Sequence, residues 1–288
     1  MRRSFNIIVY IFAIIGFVLV VVYAAVELGL TRTQGIIDNQ HDYFKNQVLS
    51  SSSADTASAT TTAQTTEAAD MDAQAWTQTP EWAILQQAIV KDQNSINEAA
   101  SSTGIPTRMI VAPLVVEQLR LFFTDREVYK EIFAPLKILG NQSQFSWGVM
   151  GIKQDTAIEI ENNLKDPQSP FYLGTAYAHA LDFPASTTDV GTQRFNRLTD
   201  EDNRYYSYLY AAFMIKELET QWQNAGYPIN GRPDIVATLF NIGFENSHPN
   251  AQPQIGGAEI DIGSSTYSFG GLAGSFYASD QLVSEFPK

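Results

Sequence analysis

Apolar and polar positions divide the chain into three stretches of different character. The first, residues 7–26, reads IIVYIFAIIGFVLVVVYAAV and holds no charge. As a helix rising about 1.5 Å per residue, such a run matches the hydrocarbon thickness of a bilayer, so the pattern predicts a transmembrane helix. Arg2 and Arg3 precede it. By the positive-inside rule they keep the N-terminus cytoplasmic and everything after Leu30 outside, as in a single-pass plasma-membrane protein. A cleaved signal peptide has a shorter apolar region and a small-residue cleavage site, for which Tyr23, Ala24 and Ala25 serve poorly; an anchor is the better fit. Residues 31–49 are expected to form a juxtamembrane segment. Residues 50–75 are nearly all Ser, Thr, Ala, Gln or acidic. They cannot bury enough surface to offset the entropy of ordering, which predicts a flexible linker.

From residue 76 onward the pattern changes to helical spacing. Thr79 followed by Pro80 is a helix start, with the capping side chain before the first-turn proline. Trp82, Leu85, Ile89 and Ile96 then recur along one face and predict a helix over 80–101, stopped by Gly104. Further helices are expected over 107–123 (with Pro113 as a point of kinking), 127–136, 155–164, 168–182, 200–225 and 232–241. The Gly-rich alternation GGAEIDIGSSTYSFGG predicts a small hairpin, followed by a short helix at 279–286. The expected fold class is therefore mostly α with a small β element, in one domain over 76–288.

Charge and composition narrow the partners. With 18 Lys and Arg against 31 Asp and Glu, the formal net charge is −13. That excludes nucleic acid, whose phosphates require clustered cations. There is no cysteine, and only three histidines, of which His179 and His248 lack ligand spacing. No metal and no cofactor is expected.

One helix carries candidate chemistry. In MIVAPLVVEQLRLFF, Ile110, Leu114, Glu117 and Leu121 share a face, so Glu117 interrupts an apolar stripe. Burial disfavours the charged form of a carboxyl, as a proton donor near neutral pH requires. A plainer alternative stands beside this: an ordinary ion pair with Arg120, three residues on. Glu217 and Glu219 are expected on a solvated helix face.

Two later segments bear on that choice. SWGVMGIKQDTA, over 146–157, is a Gly-rich loop running into a helix, and LFNIG, over 239–243, closes another. With Glu117, in this order, they resemble the lysozyme-like fold of soluble lytic transglycosylases and goose-type lysozymes. Those enzymes carry a Glu late in an apolar helix, a loop of the form GLMQIMPSTA, a long helix and a segment of the form AYNAG. GVMGIKQDTA aligns with the loop without a gap from Gly148, residues 205–222 resemble the long helix, and the likeness covers about 105–245. It implies a membrane-anchored peptidoglycan-cleaving enzyme. Glu117 would protonate the glycosidic oxygen and then act as base, the sugar's own C6 hydroxyl attacking to give a 1,6-anhydro product. No metal and no second carboxylate is needed on that route, whereas two-carboxylate glycosidases require a partner at a set separation. Gly148, Met150 and Gly151 would line the glycan cleft. Asn241 would bond the substrate or support Glu117, Phe240 would replace the family's Tyr, and Tyr277 would be a cleft tyrosine or a core aromatic. Three departures mark a divergent member: Gln118 where the family has Ser, Gly151 where it has Gln, and Phe240. The insertion between Glu117 and Gly148 is about twice that of compact members. Two alternatives remain, an inactive peptidoglycan-binding or scaffold module and a structural subunit of a surface or secretion apparatus.

Overall fold

The computed structural model describes residues 74–123 and 146–288. The expected anchor at 7–26, the segments at 31–49 and 50–73 and the expected helix at 127–136 lie outside the described residues. Among the described residues no helix is long and apolar enough to cross a membrane. The described part is mostly helical, as expected. Its helices are α1 (Pro80–Lys91), α2 (Gln93–Thr103), α3 (Thr107–Phe123), α4 (Gln154–Asn163), α5 (Val190–Thr199), α6 (Tyr205–Asn224), α7 (Pro233–Ile242) and α8 (Phe269–Ala278). Two antiparallel hairpins accompany them, β1 (Ser146–Trp147) with β2 (Ile152–Lys153) and β3 (Glu259–Ile262) with β4 (Ser265–Ser268).

Local signals account for several boundaries. Thr79 accepts a hydrogen bond from the Trp82 amide and Pro80 opens α1, as the cap pattern requires. Gly104 ends α2 at φ 76, a left-handed position that glycine occupies without strain. The expected helix over 80–101 is broken into two at Asp92. There the carboxylate accepts Tyr208 Oη at 2.5 Å and Arg204 Nη1 at 3.0 Å, contacts from a remote helix that fix the bend.

α3 and α6 form the centre. Every residue from 108 to 117 is buried, so α3 is enclosed all round, packed against α1, α2, α6, α7, α8 and β3. Arg108 near its start is fully buried and spends all five guanidinium donors on main-chain carbonyls. These belong to Phe276, Tyr277, Ser279, Gln281 and Phe286, at 2.8–3.0 Å. The same guanidinium sits 4.5 Å from the centre of the Phe276 ring. One side chain thus ties the C-terminal segment to the core.

Three further expectations fail, and one helix is additional to those expected. Residues 168–182 form separate four-residue turns, among them those closed by the Tyr177 amide on Gly174 and the Ala180 amide on Tyr177. Phe171 is held against Phe244 and Tyr177 against Phe213, and these anchors outweigh a weak helical tendency. Helix α5 was not foreseen; Asp189 caps it by accepting from the Thr192 amide. The last helix is Phe269–Ala278, not 279–286, because Arg108 draws the carbonyls of the final turns toward itself. Glu217 and Glu219 are not solvated: they are 0% and 9% exposed, since α6 is covered on nearly all sides.

Candidate active site

Glu117 lies in the second half of α3 and is 4% exposed. Its Oε2 accepts from Arg120 Nη2 at 2.6 Å, the contact expected one turn away on the same helix. The Arg120 side chain is 21% exposed, so the carboxyl lies just beneath the surface. Glu117 is thus buried and at the same time held in the plainer arrangement, an ion pair with Arg120.

Against this carboxyl lies the turn of the β1–β2 hairpin. Ser146 pairs with Lys153 and Trp147 with Ile152, leaving residues 148–151 to reverse the chain. Gly148 and Gly151 both adopt φ +63, a region that costs other L-residues about 1–2 kcal/mol. Both are also crowded. A methyl on Gly151 would stand 2.9 Å from the Glu117 carboxyl carbon, and one on Gly148 would stand 1.8 Å from the Leu198 carbonyl oxygen. Glycine at 151 is what lets the loop backbone reach the acid. Met150 is fully buried beneath the turn.

Gln118 contributes more than the sequence suggested. Its Nε2 donates to the Val149 carbonyl at 2.6 Å, joining α3 to a turn 31 residues on. The only sequence signal was its position beside Glu117, where it counted merely as a departure from Ser.

Asn241 lies in the last turn of α7, and its Oδ1 accepts the Ala258 amide at 2.8 Å. That bond fixes the approach to β3, a strand packed on α3. Phe240 is 7% exposed and belongs to the core. Tyr277 is half-buried with its ring 5.7 Å from the Arg108 guanidinium. Arg108 precedes Glu117 by about 13 Å along the α3 axis, so the structure places Tyr277 at the opposite end of that helix. The structure thus joins Glu117 to residues 148–151, and gives Phe240 and Tyr277 places in the packing.

A buried triad braces the helix that follows the turn. Arg194 meets Glu161 in a two-point ion pair, both bonds 2.7 Å, and Tyr210 Oη donates to the same carboxylate at 2.6 Å. α4, α5 and α6 are locked together there. Burial, with Glu161 adjacent, pushes the Tyr210 phenol far above its usual range and keeps it a donor. An open depression of about 590 Å³ lies elsewhere, between α1 and the C-terminal segment, and includes neither Glu117 nor the turn. Among the described residues no group of His, Asp or Glu is arranged to hold a metal ion.

In comparisons with protein-family models, curated proteins and solved structures, nothing matches this chain.

Proposed function

We propose that the chain is a membrane-anchored, lysozyme-like enzyme that cleaves peptidoglycan glycan strands as a lytic transglycosylase, with Glu117 as general acid and then base. The anchor is residues 7–26, holding the helical domain at the outer face of the plasma membrane. What carries the proposal is the meeting of Glu117 with the 148–151 turn: two segments paired by sequence likeness alone lie within a methyl group's reach of each other. Arg120 has a part in such chemistry. A guanidinium 2.6 Å away stabilises the anion left after proton transfer. Because the same pairing favours the anion beforehand, the acid role requires the pair to part as glycan binds. Val149 and Gly151 are half-buried, so a strand lying across the turn would meet them at the surface.

Glu117→Gln removes the transferable proton while keeping size and polarity. General acid catalysis contributes about 10²–10⁴-fold. Release of soluble muropeptides from purified sacculi should fall by at least that factor, with an unchanged circular dichroism spectrum and melting temperature. Undiminished release by the variant would remove Glu117 from the mechanism.

A second reading rests on the same ion pair. A carboxylate committed to Arg120, beside Gly151 where the resembling enzymes have Gln, suits a module that binds glycan without cutting it. Sedimentation with sacculi, with no soluble product from the wild-type chain after long incubation, would favour that reading.

A further inference from the structure

Glu217 lies in the middle of α6 with no exposed surface. Its Oε2 accepts from Asn163 Nδ2 at 3.3 Å, and its Oε1 has no hydrogen-bond partner among the described residues. Asn163, at the end of α4, passes the contact on. Its Oδ1 accepts from Ser169 Oγ at 2.7 Å, and that oxygen accepts the Phe171 amide at 3.2 Å. The charges around Glu217 do not favour an anion. On α4 the group acting on it is Glu159, itself a carboxylate, with Glu245 of the Phe244–Asn246 turn acting on Glu159 in the same sense. On its own helix Lys216 faces elsewhere, its Nζ 5.2 Å from the Tyr177 ring. The neighbouring helices α2, α3, α5 and α7 set no charged group near enough to act on it among the described residues. A buried carboxylate with half of its hydrogen-bond shell missing is strongly disfavoured, while the protonated acid is tolerated.

We propose that Glu217 is a proton-dependent lock on the seam between α4 and α6, closed while its carboxyl carries a proton and loosened when the proton leaves. With the proton in place, α4 and the turn at 164–171 stay seated on α6. Without it, the charge can be solvated only by admitting water along the Asn163–Ser169 side. The domain is thereby fitted to mildly acidic surroundings, and this inference stands apart from the role of Glu117.

The direction of the pH effect is fixed by linkage. Burial, opposed by the Asn163 hydrogen bond and aided by the field of Glu159, holds Glu217 well above the ordinary carboxyl value of 4.5. The folded chain therefore keeps a proton that the unfolded chain releases. The resulting stability is complete below that ordinary value and is lost as pH rises toward the folded one. Glu219, raised to about 6 by burial with Lys216 opposing, adds a smaller loss that ends soon above its own value.

The test is thermal unfolding of the full chain between about pH 5 and pH 8, for wild type and Glu217→Gln. One extra bound proton in the folded state lowers the melting temperature by about 3–5 °C per pH unit over the window it spans. The wild type should show that slope above the range of Glu219, and the Gln variant should be flat there. Hydrogen exchange at 164–171 should rise with pH beyond the intrinsic rate in the wild type alone. Parallel melting curves for the two proteins overturn the proposal. Should the variant fail to fold, the infrared spectrum at about pH 7 of the Glu117→Gln chain, which lacks the proton proposed on Glu117, decides. A protonated-carboxyl band supports the lock, and its absence refutes it.

Discussion

Arg108→Ala should unfold the C-terminal segment and cost on the order of 5 kcal/mol, enough to threaten a domain whose whole stability is about 5–15 kcal/mol. The fully buried guanidinium donates to five main-chain carbonyls, that of Phe276, which also accepts from Ser279 Oγ, and those of Tyr277, Ser279, Gln281 and Phe286. A buried acceptor stripped of its donor costs about 1–3 kcal/mol, and water entering the cavity recovers part of that sum. Lost contact with the Phe276 face, 4.5 Å from the guanidinium carbon, adds to the loss. Arg108→Lys should recover only part, because an ammonium offers three donors without the planar fork. Urea titration measures the cost, and hydrogen exchange should show protection lost at 276–286 before the rest of the domain opens. A loss under about 1 kcal/mol would mean that the carbonyls are satisfied without Arg108.

Gly148→Ala should be the most damaging single methyl added near Glu117. Its Cβ would lie 1.8 Å from the Leu198 carbonyl oxygen and 2.9 Å from Ser207 Oγ, at a residue with φ +63. The clash is with main chain, which cannot rotate away, so the hairpin itself must move. Left-handed strain of about 1–2 kcal/mol adds to that displacement, giving a loss of about 3–4 kcal/mol. Under the proposed function the turn then leaves Glu117, and muropeptide release should fall well below the folded fraction. Gly151→Ala provides the contrast. Its methyl would meet the Glu117 carboxyl at 2.9 Å, a side chain able to turn aside. Stability should fall by only about 1–2 kcal/mol, while release falls further because the acid itself has been moved. Equal effects of the two substitutions on melting temperature would argue that the hairpin is not seated on Leu198.

The candidate site was legible in its parts. Glu117 stood out as a carboxylate among apolar neighbours, and the 148–157 loop by its glycines and its likeness to a known pattern. Gln118 and Arg120 were visible only as neighbours in sequence. That one fastens the turn through Val149 and the other supplies the counter-charge depends on where the hairpin returns, which periodicity does not encode. Phe240 looked like a cleft residue by analogy of position, and Tyr277 like either a cleft tyrosine or a core aromatic. Their surroundings are instead the core and the Arg108 hub.

Signals that act over a few residues were sufficient where the chain obeys them. The Thr79 cap, the Gly104 stop, the extent of α3, the Pro233 start of α7 and the 259–268 hairpin all follow from local backbone chemistry. Tertiary structure decided the rest. It broke the first long helix at Asp92 with Tyr208 and Arg204, turned the 279–286 tail around Arg108, and held 168–182 in turns. It also buried Glu217 and Glu219, which sit on a helix that is polar enough by sequence to face water. Whether a side chain is solvated depends on what lies opposite it, and nearly every side of α6 met another element.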